Sequence, residues 1–172
     1  MLLKFAGLMC FLAAAGLAGC LKAEELKQRI RLLEELEEMI LNLKSQMNYF
    51  REPLYSIFEK TGKTSGSRAF LLPAECLNHL RRKNGGIGEI WAQNAEEIYR
   101  GTPLTEEDIE IIKFIGTYLG QTDFENQKYQ FECTEERLRR QIIQAEETYR
   151  QKGPMYRKIG FFGGSLAVLI LL

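Results

Sequence analysis

The sequence predicts an all-α protein, an antiparallel bundle of about six helices between an N-terminal transmembrane helix and a short C-terminal apolar segment. Three observations support this fold class. Apolar residues recur at spacings of three and four through most of the chain, as on one face of a helix. No segment shows the alternation of apolar and polar residues that is typical of a strand. Uncharged apolar runs stand at both ends of the sequence.

The composition suits one compact domain with membrane-embedded ends. Of the 172 residues, 45% are hydrophobic and 27% are charged, and the formal net charge is zero. The sequence therefore has no overall basic excess that would indicate a nucleic-acid partner. None of the four cysteines lies in a Cys-x-x-Cys spacing, so neither a disulfide framework nor a zinc site is predicted.

The first 21 residues are predicted to form a transmembrane helix. An unbroken run of apolar and small residues extends from Phe5 to Leu21, and Lys4 alone precedes it, which is thin for the charged start of a signal peptide. With its flank the run has about the 20 residues that a helix needs to cross a bilayer. The alternative is a lipobox at residues 17–20. Cleavage before Cys20 and acylation there would give a surface lipoprotein with a helical interaction domain.

A second apolar segment, residues 155–172, is predicted at the C-terminal end of the sequence. Its uncharged part from Ile159 onward is short for a full span. Basic residues adjoin both apolar segments, so the positive-inside rule places residues 22–154 in the cytoplasm as a helical bundle. These basic residues are predicted to face the anionic membrane surface. They are Lys22, Lys27, Arg150, Lys152, Arg157 and Lys158.

The first long helix is predicted over Lys22 to Phe50. Its apolar residues follow spacings of three and four, and charged residues occupy the opposite face. A coiled-coil contact with a partner is one interpretation, but we favour packing within the domain. Pro53 then suits the first turn of a short helix.

The sequence "TGKTSGS", Thr61 to Ser67, resembles the end of a phosphate-binding loop. The Walker spacing requires a glycine five residues before Gly62, where the chain has Ile57. We therefore predict a flexible loop between helices and no nucleotide cofactor.

Two further helices are predicted in the middle of the chain. Phe70 to Lys83 carries cations in its last turn, where they stabilise the negative end of the helix dipole. His79 has no second ligand at metal-binding spacing, so no metal or catalytic role is predicted for it. The next helix begins near Ile87, and its Trp91 is predicted to anchor the core.

The stretch from Pro103 to Gln127 specifies a corner between two helices. Thr105 and Asp108 have the spacing of a capping box, which predicts a helix start. Gly120 is predicted to end that helix with a positive φ angle. The last helix then begins at a second box around Thr122 and continues to about Lys152, where the next two residues, Gly-Pro, break or kink it.

Polar residues at this corner are candidates for a partner surface. Asp108, Asp123 and Gln127 lie in the first turns of the two helices, where polar side chains add little to stability. The alternative is that Asp123 and Gln127 only cap or bridge the corner. Trp91, Gly116 and Gly120 are predicted to be structural.

The chain resembles the stage III sporulation protein AB family of endospore-forming bacteria, which is similar in fold to the cytoplasmic domains of the inner-membrane platform proteins of type II secretion and type IV pilus machines. The resemblance covers nearly the whole length, and its most specific motifs are "LTEED" and "LGQTD". The lipobox at Cys20 is a departure from the family pattern. The residues that carry the resemblance are Pro53, Leu54, Trp91, Leu104, Asp108, Gly116, Leu119, Gly120, Thr122, Asp123, Gln127, Tyr156, Gly160 and Gly164.

The resemblance implies a non-enzymatic part of the channel complex between mother cell and forespore. By analogy, the protein would be a platform in the mother-cell membrane around the forespore, linking a secretion-type ATPase to membrane channel subunits. Its expected partners are the other stage III sporulation channel proteins, and self-association into a homo-oligomer stays open. No catalytic, cofactor-binding or metal-binding residue and no nucleic-acid partner is expected.

Overall fold

The computed structural model describes residues 2–50, 54–64, 66–82, 85–120 and 124–171. These residues form six α-helices and no strand, which confirms the predicted all-helical class. The helices are α1 (Leu2–Phe50), α2 (Leu54–Thr64), α3 (Leu71–Arg82), α4 (Ile87–Tyr99), α5 (Glu106–Ile115) and α6 (Phe124–Leu171).

The chain divides into two compact units. Unit 1 comprises residues 1–30 and 144–172, and unit 2 comprises residues 31–143. Helices α1 and α6 each contribute residues to both units. The predicted boundaries after residues 21 and 154 do not coincide with helix ends.

The core of unit 2 contains the apolar stripe predicted for the first long helix. Leu33, Leu36, Ile40 and Leu43 are fully buried, together with Trp91 from α4. Their burial in the domain's own core supports the preferred interpretation over a coiled-coil partner surface, because removal of apolar area from water is the main driving force of folding.

Within unit 2, α1 and α6 run antiparallel and are joined by ion pairs. Glu37 accepts a hydrogen bond from the Arg139 guanidinium at 3.3 Å, and the Lys44 ammonium lies 3.0 Å from the Glu135 carboxylate. The later residue of α1, Lys44, pairs with the earlier residue of α6, Glu135, so the two helices run antiparallel. Both side chains of the second pair are about one-fifth exposed, so this pair is less screened by solvent than a surface pair.

Helices α2 to α5 pack consecutively, each against the next. The predicted loop at Thr61 was wrong in part, because α2 continues through Thr64. Gly62 allows α2 to approach α3 closely, since a Cβ atom there would lie 2.9 Å from the Ala74 Cβ. A helical backbone at Gly62 also differs from the strand-to-helix loop that binds phosphate in a Walker motif.

In unit 1 the first part of α1 packs directly against the last part of α6. A Cβ atom on Gly160 would lie 2.7 Å from the Ala15 carbonyl oxygen, and one on Gly19 would overlap the Tyr156 carbonyl oxygen. The two helices are antiparallel here too, because Ala15 faces Gly160 and Gly19 faces Tyr156. Their backbones touch because neither glycine has a side chain.

Of the break or kink predicted for the last helix, the break is wrong, because α6 continues through Pro154 to Leu171. Proline removes one backbone hydrogen bond and crowds the preceding turn, so the break was a reasonable expectation. Contacts of Tyr156 and Gly160 with α1 hold the segment beyond the proline in unit 1. Over the residues that the structure describes, no helix has the length and apolarity of a membrane span.

Candidate functional site: a charged groove beside a capped corner

The start of α5 is the capping box that the sequence predicted. The Thr105 hydroxyl accepts a hydrogen bond from the Asp108 backbone N–H at 3.3 Å, and the Asp108 carboxylate accepts one from the Thr105 N–H at 2.8 Å. Two N–H groups that the helix leaves without a partner are thereby satisfied.

Asp108, which forms the cap with Thr105, lies in the protein interior. This residue is fully buried, although the sequence analysis placed it on a candidate partner surface. The structure thus assigns Asp108 an internal role, and its carboxylate does not lie on the surface in this conformation. Asp123, another residue of that surface, lies outside the described residues.

Helices α4 and α5 meet at Trp91 and Gly116, two of the three residues predicted to be structural. The indole Nε1 of Trp91 donates a hydrogen bond to the Ile112 carbonyl oxygen at 2.8 Å, and the ring packs on Phe58 at a centroid distance of 5.7 Å. A Cβ atom on Gly116 would lie 2.7 Å from the Gly88 carbonyl oxygen. The close packing of the two helices therefore depends on this glycine.

The corner between α5 and α6 is held by a buried polar chain. The Gln127 side chain donates to the Tyr118 carbonyl oxygen at 2.9 Å, and the hydroxyls of Tyr118 and Thr134 are hydrogen-bonded at 2.9 Å. Gln127 is only 9% exposed, so it bridges the corner, as one of the two alternatives predicted. Its contact with a partner stays a prediction.

The third structural residue, Gly120, confirms the predicted backbone conformation. Its φ angle is +73°, which L-residues with side chains rarely adopt. The helix itself ends earlier than predicted, at Ile115, and turns occupy residues 116–120. Gly120 therefore shapes the corner and does not terminate α5.

A groove of about 660 Å³ lies between α4, α5 and α6 within unit 2. Apolar atoms of Ala92, Ile111 and Phe114 contribute to its lining. Charged residues of α5 and α6 line it as well. They are Glu107, Glu110, Lys113, Arg137 and Arg140.

Some charges of the groove are paired and others are not. Lys113 lies 2.6 Å from Glu110 and 3.4 Å from Glu96, and these carboxylates raise its pKa. The Arg137 guanidinium lies over the Phe114 ring, 5.2 Å from the centroid. Within the described chain, no ion pair joins Arg137 or the exposed Glu107 to an opposite charge.

This groove is not among the features predicted from the sequence. The spacing of Glu107, Ile111 and Phe114, at i, i+4 and i+7, places the three on one face of α5 and was available in the sequence. The contribution of α6 could not be read from the sequence, because Arg137 approaches Phe114 only after the corner has folded. We define the groove by its ten lining residues. They are Ala92, Glu107, Glu110, Ile111, Lys113, Phe114, Thr117, Arg137, Arg140 and Gln141.

All six basic residues predicted to face a membrane belong to unit 1 and are exposed. Lys22 forms an ion pair with Glu25 at 2.6 Å, which raises the pKa of the lysine. Arg150 lies 4.0 Å from Glu147, a distance typical of a weak surface pair. Their contact with an anionic surface stays a prediction.

Unit 2 also buries a thiol beside its core. Asn94 donates a hydrogen bond to Cys76 Sγ at 3.5 Å, and burial raises the pKa of the thiol to about 12. A neutral buried thiol is a poor nucleophile and a poor metal ligand. Among the residues described, no group of three His, Cys, Asp or Glu side chains could hold a metal ion.

These features define the class: in the part of the chain that the structure describes, all regular structure is helical, with two long antiparallel helices, four short consecutive ones and a charged surface groove. The family profile of stage III sporulation protein AB matches residues 4–172. A solved structure titled Stage III sporulation protein AB (SpoIIIAB) has the same fold, with a TM-score of 0.66 and 19% sequence identity; the match covers 72% of this chain and 97% of that one. A search of curated proteins found no significant match. The chain belongs to the stage III sporulation protein AB family.

Proposed function

We propose that this protein is a non-enzymatic platform subunit of the channel complex between mother cell and forespore. It links a cytoplasmic secretion-type ATPase to the membrane channel subunits. The observation that carries the proposal is the family match, which covers residues 4–172 and so includes both apolar ends as well as the helical bundle.

A platform requires a fixed shape on which several partners assemble. In unit 2, buried polar contacts hold the surface elements in place, notably the cap at Thr105 and the Tyr118 hydroxyl contact with Thr134. Satisfied buried polar groups specify one arrangement of the elements around them. The groove between α4, α5 and α6 is the surface on which we place partner binding.

The proposed location is the mother-cell membrane around the forespore, with unit 2 in the cytoplasm. The apolar run from Phe5 to Leu21 and the apolar C-terminal segment supply the anchors. The exposed basic residues of unit 1 adjoin both anchors, and each lysine or arginine near an anionic leaflet contributes about 1 kcal/mol.

A surface lipoprotein is the second candidate, and the exposure of Cys20 is the observation that favours it. Cleavage before Cys20 would remove Ala15 and Gly19, however. These residues pack against Gly160 and Tyr156, so the cleaved chain would lose this helix contact in unit 1. The double-anchored platform keeps this contact.

The proposal is tested in sporulating cells with a tagged full-length chain as the only copy of the protein. We expect heat-resistant spores, and we expect purification after crosslinking to recover the secretion-type ATPase together with channel subunits. A tagged chain that supports sporulation yet recovers neither class of protein contradicts the platform role. A chain that begins at Cys20 and carries a covalently attached lipid there would instead establish the lipoprotein.

A further inference from the structure

We propose that the groove between α4, α5 and α6 binds an amphipathic helix of a partner protein, whose apolar stripe is flanked by basic residues on one side and acidic residues on the other. The inference rests on the proposed function, since a platform must hold its partners. It adds the location of the binding site and the chemical character of the partner helix that binds there.

The shape and lining of the groove suit a helix. Along α5 the lining extends from Glu107 to Phe114, roughly 10 Å or two turns at the rise of an α-helix, and Thr117 of the following turn continues it. Ile111 and Phe114 lie on this face one turn apart, and Ala92 of α4 leaves room beside them. A helix bound in such a groove contacts it with residues at i, i+3 or i+4, and i+7.

The charges of the groove determine which charged residues are expected on the two flanks of the bound helix. Glu107 stands on the α5 side with no ion-pair partner in the described chain, and Arg137 stands on the α6 side with an aromatic ring beneath it but no carboxylate. Arg140 adds a second, largely exposed cation on the α6 side. A helix with basic residues towards α5 and acidic residues towards α6 complements both sides.

A second copy of this chain fits the groove less well. Two copies related by a two-fold axis would bring the same concave surface together, and two grooves that face each other enclose a void. Close packing requires a convex partner, because atoms that line a void lose their contacts. The charge arrangement alone would permit such a dimer, so the experiment includes it as an outcome.

The test uses full-length protein in detergent micelles and three fluorescent synthetic helical peptides with the same apolar stripe. The first peptide has one basic and one acidic flank, the second has two basic flanks, and the third has two acidic flanks. For the wild-type protein we expect the first peptide to bind most tightly in fluorescence anisotropy. Glu107→Lys makes both sides of the groove positive, so the third peptide should become the tightest. We expect the affinity of Glu107→Lys for the first peptide to be about 3- to 10-fold lower than that of the wild type.

The matched control is Glu106→Lys. Glu106 is also an exposed acidic residue in the first turn of α5, but it does not line the groove. Both substitutions remove the same favourable interaction with the helix dipole, so a difference between them reports the groove. Arg137→Glu should shift the preference in the opposite direction, towards the peptide with two basic flanks.

Three outcomes overturn the inference: an unchanged order of peptide affinities in Glu107→Lys, an equal shift in Glu106→Lys, or a concentration-dependent dimer that Glu107→Lys dissociates while no peptide binds. The last outcome would assign the groove to a second copy. Because the peptides bind without any channel protein, a negative result here leaves the platform role open. Failure to recover the ATPase from cells would leave the peptide result intact.

Discussion

Gly116→Ala tests the contact on which the packing of α4 against α5 depends. The backbone at Gly116 has φ −57° and ψ −29°, a conformation that alanine adopts without strain. The added methyl group would nevertheless lie 2.7 Å from the Gly88 carbonyl oxygen and 3.1 Å from Trp91 Cδ1. The two helices must therefore separate, and the Trp91 hydrogen bond to Ile112 stretches with them.

The expected cost follows from these contacts. Overpacking of a well-packed interior costs about 1–3 kcal/mol, and a weakened buried hydrogen bond adds about 0.5–1.5 kcal/mol. Replacement of glycine offsets about 0.4–1 kcal/mol, because alanine restricts the unfolded chain. We expect a net loss of about 2 kcal/mol, which lowers the Tm by about 4–8 °C for a chain of this size.

Thermal unfolding of the full-length protein, followed by the fluorescence of the single tryptophan, measures this loss. The control is Gly66→Ala, at a glycine where an added methyl group would have no atom within 4 Å and where φ is not positive. We expect its Tm to be unchanged or slightly raised. A Gly116→Ala protein as stable as the wild type would show that α4 and α5 are not in backbone contact.

Three further predictions concern unit 1, the buried thiol and the topology. Gly160→Leu should lower the Tm by separating α1 from α6, whereas Gly16→Leu, at a position with open space, should not. Burial raises the pKa of the Cys76 thiol from an ordinary 9 to about 12. The contribution of the thiol to the free energy of unfolding is therefore complete below pH 9 and declines as the pH rises towards 12. Denaturant midpoints across this pH range measure the decline, and Cys76→Ala should make the decline smaller. In a cysteine-free background, single cysteines at the exposed positions Gln93 and Lys128 should resist membrane-impermeant thiol reagents in intact cells and react after permeabilisation.

Each of these predictions has a contrary result. Equal melting of the two leucine variants would contradict the glycine contact. A stability that is constant up to pH 12 would mean that the Cys76 thiol is not buried. Labelling of both reporter cysteines in intact cells would place unit 2 outside the cytoplasm and favour the lipoprotein.

Local signals in the sequence predicted the capped helix start and the conformation of the corner. The Thr105 and Asp108 box and the positive φ of Gly120 are properties of a few neighbouring residues, so one sequence suffices to specify them. Helix boundaries that depend on packing were predicted less well. Gly62 lies inside α2, and α6 passes Pro154, because contacts with other helices outweigh the local preferences of glycine and proline.

The candidate site was less predictable than the fold. A polar residue in the first turn of a helix can point outward or satisfy the cap from within, and the pattern around Asp108 does not separate the two. The groove combines residues of α5 and α6 that the corner brings together, so its charges were visible in the sequence but their arrangement was not. Gly116 was recognised as structural, yet its contact with Gly88 became apparent only from the structure.

The glycine contact in unit 1 constrains the order in which the protein is assembled during synthesis. Ala15 and Gly19 emerge from the ribosome before Tyr156 and Gly160, the residues against which they pack, have been translated. The intervening chain must be completed before the contact can close, and closure of so long a loop has an entropic cost. Until then the start of α1 has no helix against its glycine. A translocon or chaperone therefore meets this segment as a single helix, and the paired form arises only after Tyr156 and Gly160 have been translated.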